Sequence, residues 1–224
     1  MIEVILASLL CLQGAATSAP RDAKWVERHD SLVKRAKEGG IDVAFLGDSI
    51  TEGWKYGGRK LWEERFAPHK PANFGIGGDR TQHVLWRLEN GEFDGFDAKA
   101  VVLLIGTNNT HEKTDTDDVA KGVEAILKRV AEKQPKAKTI LVSVFPRGEK
   151  PAPIRDKVRA LNASLAKLAD GKSVVWLDIH DKFLEADGTI SKDVMPDFLH
   201  LSAKGYAIWA DALKEPLEKA LAGR

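Results

Sequence analysis

Ser49, His200 and Asp197 are of the residue types that acyl transfer needs. That chemistry takes a nucleophile, a base to accept its proton, a group to orient the base, and donors for the developing oxyanion. Ser49 supplies a hydroxyl, and His200 an imidazole. Asp197, three positions before His200, supplies a carboxylate able to hold the tautomer and stabilise the imidazolium. The backbone N–H groups of Ser49 and Gly78 and the side-chain amide of Asn108 are candidate oxyanion donors. Each of the stretches that carry them, "GDSI", "GIGGD", "GTNN" and "DFLH", has a plainer reading when taken alone. The first is a strand end with a helix cap, the second a turn or a phosphate cradle at a helix N-terminus, and the third a common turn composition. A rival constellation is Asp178, His180 and His200, with Asp181 beside it in "DIHD", as a metal-dependent hydrolase site. It lacks a recognised ligand spacing. His29, His69, His83 and His111 read as surface or packing residues.

The elements around these stretches decide whether they can meet. Near-continuous apolar, β-branched runs at 41–46, 100–105, 139–144 and 173–177, with a shorter one at 72–74, predict strands buried on both faces. Between them, Val119, Val123, Ile126, Leu127 and Val130 recur at helical spacing, as do Ile154, Val158, Leu161, Leu165 and Leu168. Asp117 is the expected cap of the first of these helices, and Pro153 suits the first turn of the second. Further helices are expected near 21–38, 81–90 and 203–217. Strand–helix alternation implies right-handed βαβ units and a five-stranded parallel sheet, an α/β flavodoxin-like three-layer α/β/α sandwich. Ligands bind outside the carboxyl ends of strands in such sheets. The candidate residues fall in the loops at those ends.

The composition fits one domain. The chain has 224 residues, 43% hydrophobic and 30% charged, with a net charge of +1. No long-range field draws it to nucleic acid or an anionic membrane. Its single cysteine, Cys11, rules out an internal disulfide. Residues 1–19 read as a secretory signal, with an apolar segment from Val4 to Leu12 followed by small residues. Cleavage is expected after Ala16 or Ser18, since Pro20 hinders it after Ala19, which leaves 20–224 as a single domain, secreted or periplasmic and without cysteine. A buried N-terminal helix is the other reading.

The four stretches, in this order, resemble the blocks of the SGNH, or GDSL-type, hydrolases. Within that family "NFGIGGDRTQHVLWRLENGEF", "PRGEKP" and "DFLHLSAKGYA" are similar to the platelet-activating-factor acetylhydrolase Ib catalytic subunits. The resemblance spans roughly residues 41 to 216. It implies a metal- and cofactor-free serine esterase with Ser49, Asp197 and His200 as triad and Ser49, Gly78 and Asn108 as oxyanion hole. It also makes a homodimer conceivable. Thr51 stands where a G-x-S-x-G elbow would have its second glycine, so this is not the α/β-hydrolase arrangement. The expected substrate is a short acyl ester, with acetyl on a carbohydrate favoured by the export-like leader. Trp54 and Trp62 could stack on a sugar ring or pack in the core. A lysophospholipase or thioesterase, and a non-catalytic glycan-binding module, are the alternatives.

Overall fold

A computed structural model of the chain describes residues 14–110 and 115–222. Five strands form the central sheet: β1 (Val43–Gly47), β2 (Pro71–Gly75), β3 (Ala100–Leu104), β4 (Lys138–Val142) and β5 (Val174–Leu177). Every pairing is parallel, and the order is β2-β1-β3-β4-β5. That is the flavodoxin-like order, in which strands are added on one side of β1 and then, from β3 on, on the other.

The near-continuous apolar runs have a simple cause. Along β1, Val43 and Phe45 enter one core while Ala44 and Leu46 enter the other. Both faces are covered, so every side chain of β1 is apolar, and polar residues elsewhere in the sheet, such as Asn73 in β2, come with hydrogen-bond partners. One face is packed by α1 (Ala23–Lys37), α3 (Thr81–Glu89), α4 (Thr116–Lys133) and α5 (Pro153–Ala166). The other is packed by α6 (Ala203–Ala222) together with the segment 50–66. α2 (Ser49–Glu52) is a single turn that leaves the tip of β1.

The helix starts follow local hydrogen bonding. Asp22 caps α1 by accepting the Trp25 N–H, and Pro153 sits in the first turn of α5 as expected. The cap of α4 is Asp115 rather than Asp117: the chain is still extended at Asp115, and its carboxylate accepts the Asp117 N–H. Asp117 lies two residues further on, already inside the first turn. No helix among the described residues is long and apolar enough to cross a membrane.

Most of the leader-like segment lies outside the described residues. Residues 14–19 are packed: Ala15 and Ala19 are buried, the Ala15 N–H donates to Asp118 at 2.8 Å, and the Thr81 hydroxyl donates to the Ala15 carbonyl at 2.8 Å.

Candidate active site

β1 ends because Gly47 allows the chain to pass where a side chain could not. A Cβ there would meet the Leu104 carbonyl at 2.2 Å and the Thr51 hydroxyl at 2.3 Å. The next residue, Asp48, is fully buried and caps α2 by accepting the Ile50 N–H at 3.0 Å. Burial pushes its pKa up to about 7, and the nearby Asp79 charge adds to this. Ser49 therefore begins a helical turn with its hydroxyl turned outward. The Tyr206 hydroxyl, donating to the Ile50 carbonyl at 2.7 Å, fixes that turn from α6.

The loop before α6 brings the candidate base, His200. Ser49 Oγ lies 3.0 Å from His200 Nε2, and His200 Nδ1 lies 2.7 Å from Asp197 Oδ2. With the proton on Nδ1 donated to the carboxylate, Nε2 offers a lone pair to the serine hydroxyl. Asp197 Oδ1 accepts the backbone N–H groups of His200 at 2.7 Å and Leu199 at 3.1 Å. Partial burial works to raise the Asp197 pKa. The hydrogen bonds from the His200 ring and from the two backbone N–H groups outweigh it, so the carboxylate stays below its usual range. Phe198, between them, has φ +59, a left-handed conformation that costs a non-glycine residue on the order of 1–3 kcal/mol. The Gly148 N–H, donating to the Phe198 carbonyl at 2.9 Å, holds it there. The His200 and Asp197 side chains are 46% and 56% exposed, so the dyad stands on an open surface.

Two further loops reach the same place. Gly78 has φ +76, which glycine tolerates at no cost. Among the described residues the N–H groups of Ser49 and Gly78 are donated to no other group. Asn108, in the turn Thr107–Asn109, spends one amide hydrogen on the Asp79 carbonyl at 2.9 Å and keeps the other. Asn109 ties that turn to α3 through the Thr81 N–H at 3.0 Å. The residues expected from the sequence to form the site are thus presented by neighbouring loops at one edge of the sheet.

Several residues that shape the site carried no legible signal. Arg87, fully buried, donates to the Gly47 carbonyl at 3.2 Å and the Phe74 carbonyl at 2.9 Å, clamping the tips of β1 and β2. It also pairs with Asp79 at 3.1 Å and Glu92 at 2.9 Å. Asp79 in turn accepts the Trp25 indole N–H at 2.7 Å and Arg21 at 3.2 Å. Burial raises the pKa of Asp79, with Arg87, Trp25 and Arg21 opposing. Arg21 also donates to the Gly77 carbonyl at 2.8 Å, and Glu52 accepts the Gly77 N–H at 2.9 Å. In the sequence Arg87 falls in the helix expected near 81–90 and Glu52 in the stretch that follows the first strand, and nothing there marks either for the site.

The rival metal constellation does not assemble. Among the described residues no group of three or more His, Cys, Asp or Glu side chains is placed to hold a metal ion. His180 is buried instead, with Nδ1 2.9 Å from the Val144 carbonyl and 3.3 Å from the Asn162 amide. His29 and His83 are buried packing residues, while His111 lies outside the described residues. Trp54 is core and not a sugar platform: it is 1% exposed between Tyr206, Trp209 and Phe66. Trp62 is half-buried against Phe45.

The sequence profile of the GDSL-like lipase/acylhydrolase family matches residues 45–208. The chain is 44% identical over 197 residues to platelet-activating factor acetylhydrolase IB subunit alpha2 of Homo sapiens, covering 86% of this chain and 83% of that protein. Among solved structures it is similar to a GDSL-like lipase from Bacteroides thetaiotaomicron (TM-score 0.69, 22% identity, 88% of this chain and 97% of that one). The acetylxylan esterase Axe2 from Geobacillus stearothermophilus shares the fold (TM-score 0.64, 18% identity, 83% of this chain and 96% of that one).

Proposed function

Because the chain belongs to the GDSL-like lipase/acylhydrolase family and is a carboxylic ester hydrolase, we propose that it removes short acyl groups, acetyl above all, by a Ser49–His200–Asp197 mechanism. The observation that carries this reading is the continuous relay from Ser49 Oγ to His200 Nε2 at 3.0 Å and from Nδ1 to Asp197 at 2.7 Å. Ser49 Oγ attacks the ester carbonyl while its proton passes to His200 Nε2. Asp197 stabilises the imidazolium through Nδ1–H. The oxyanion is received by the N–H groups of Ser49 and Gly78 and the remaining amide hydrogen of Asn108. The departing alcohol takes the proton from His200, and an ester of Ser49 is left. Water, deprotonated by His200, then releases the acid and restores the serine.

A short acyl group on a large alcohol suits a site whose base and carboxylate stand half exposed. An acetylated carbohydrate is the substrate class we favour, and the kinship of fold with an acetylxylan esterase is compatible with it. The identity to a platelet-activating factor acetylhydrolase subunit supports the acetyl preference independently of the alcohol. We place the enzyme outside the cytoplasm, on the leader-like residues 1–19. One purified preparation offered acetylated xylan, other acetylated sugars, lysophospholipids and acyl thioesters tests the reading. Acetate release from the acetylated sugars is expected. Turnover confined to lysophospholipids or thioesters would overturn the substrate class.

A further inference from the structure

Beside the edge strand β2, α1 and the segment after α2 line a groove of about 520 Å³ that is bordered by none of Ser49, Gly78, Asn108, Asp197 and His200. That volume lies within the ordinary range of small-molecule sites. Leu32 and Ala72 contribute apolar surface and the Trp62 indole an aromatic wall, while the charge along the groove is one-sided. Arg28 and Arg35 enter from α1, and Lys55 and Arg59 from the opposite side. The one carboxylate among the lining residues, Glu63, is taken up by Arg59 at 2.9 Å. Arg28 lies 3.6 Å from Glu52, whose other oxygen accepts the Gly77 N–H. Arg35 donates to the Gly39 carbonyl, a neutral group.

Lys55 makes no hydrogen bond or ion pair among the described residues, although the Glu52 charge reaches it. Partial burial and then the Arg28 guanidinium hold its ammonium below the usual lysine range. Cations gathered with so few counter-charges repel one another, and an anion set between them turns each repulsion into an attraction. Guanidinium groups also match the geometry of phosphate and carboxylate oxygens. We propose that this groove binds a small polyanion, a compact molecule with at least two phosphate or carboxylate groups, held by Arg28, Arg35 and Lys55 against Trp62. It is a site separate from the esterase centre.

The test is titration of the full chain with inorganic pyrophosphate and, separately, with trigalacturonate, taking uncharged xylotriose as control. Heat release and the tryptophan fluorescence, to which Trp62 contributes, are the readouts. Saturable binding of one or both anions is expected, weakened about tenfold or more in an Arg35→Gln, Lys55→Gln double variant and weakened by added salt. Ester hydrolysis by that variant stays at the wild-type rate, which also reports that it is folded. Should that pair fail to fold, the single variant Lys55→Gln, at a side chain that makes no hydrogen bond or ion pair among the described residues, replaces it. Pyrophosphate binding alone assigns the site to a phosphorylated small molecule, and trigalacturonate binding alone to an acidic saccharide. No saturable binding of either anion, equal binding by the folded variant, or equal binding of xylotriose would overturn the proposal.

Discussion

At the scale of single residues, the site rests on groups whose neighbours define their states. Asp197 has a low pKa because three donors hold its charge. Asp197→Asn should leave the geometry largely intact yet lower kcat by about 10²–10⁴, with KM little changed, because an amide cannot stabilise the imidazolium. Asn108→Ala should cost on the order of 10²–10³ in kcat. Steady-state hydrolysis of p-nitrophenyl acetate measures both. Two buried groups set the pH dependence of stability in opposite directions. His83, pushed down to about 4 mainly by burial, is neutral when folded, so its contribution falls as pH drops from 6.5 toward 4. Asp48, raised from 3.8 to about 7, holds its proton when folded, so its contribution falls as pH rises across that window. Asp48→Asn keeps the acceptor for the Ile50 N–H and removes the second effect. Its unfolding free energy should therefore gain with pH, relative to wild type, by up to about 1.4 kcal/mol per unit between those values. Urea melts at several pH values check this, and parallel curves would contradict it.

At the scale of elements, the sheet was legible because burial on both faces leaves an unbroken apolar run, as at 43–46 and 100–105. The strand-end loops followed from topology, and the four site stretches fell where the carboxyl ends put them. What escaped was contact between elements. Arg87 sits at a helical position of α3, and nothing in its neighbours along the chain says that it reaches the tips of β1 and β2. Arg21 reaches Gly77 from before α1, a pairing across 56 positions. The cap of α4 was displaced by two residues, since aspartates at 115, 117 and 118 offer the same chemistry and only the backbone distinguishes them. Arg87→Met would leave Asp79 and Glu92 buried without the cation they share, with Arg21 alone still paired to Asp79. It should destabilise the fold by about 3–5 kcal/mol, read from denaturant midpoints. Gly78→Ala should fold but lower kcat, since a Cβ is strained at φ +76 and would meet the Arg21 guanidinium at 3.3 Å.

At the scale of the whole molecule, the proposed export would bear on stability through the N-terminal segment. Cleavage after Ala16 or Ser18 would remove Ala15 and its two hydrogen bonds to Asp118 and Thr81, while Arg21 and its contact with the Gly77 carbonyl remain. A chain beginning at residue 19 should therefore melt at a lower temperature yet hydrolyse p-nitrophenyl acetate at the rate of the full chain. A loss of activity with retained folding would show that the segment matters to the site. Sequencing the N-terminus of protein recovered outside the cell tests the export reading itself.

Covalent capture tests Ser49 as the nucleophile most directly. The protein is treated with diisopropyl fluorophosphate and its peptides are mapped by mass spectrometry. A single phosphoryl adduct on Ser49, formed as activity is lost and absent from Ser49→Ala, is the expected result. An adduct on another residue with Ser49 unmodified, or full inactivation without any adduct at Ser49, would contradict it.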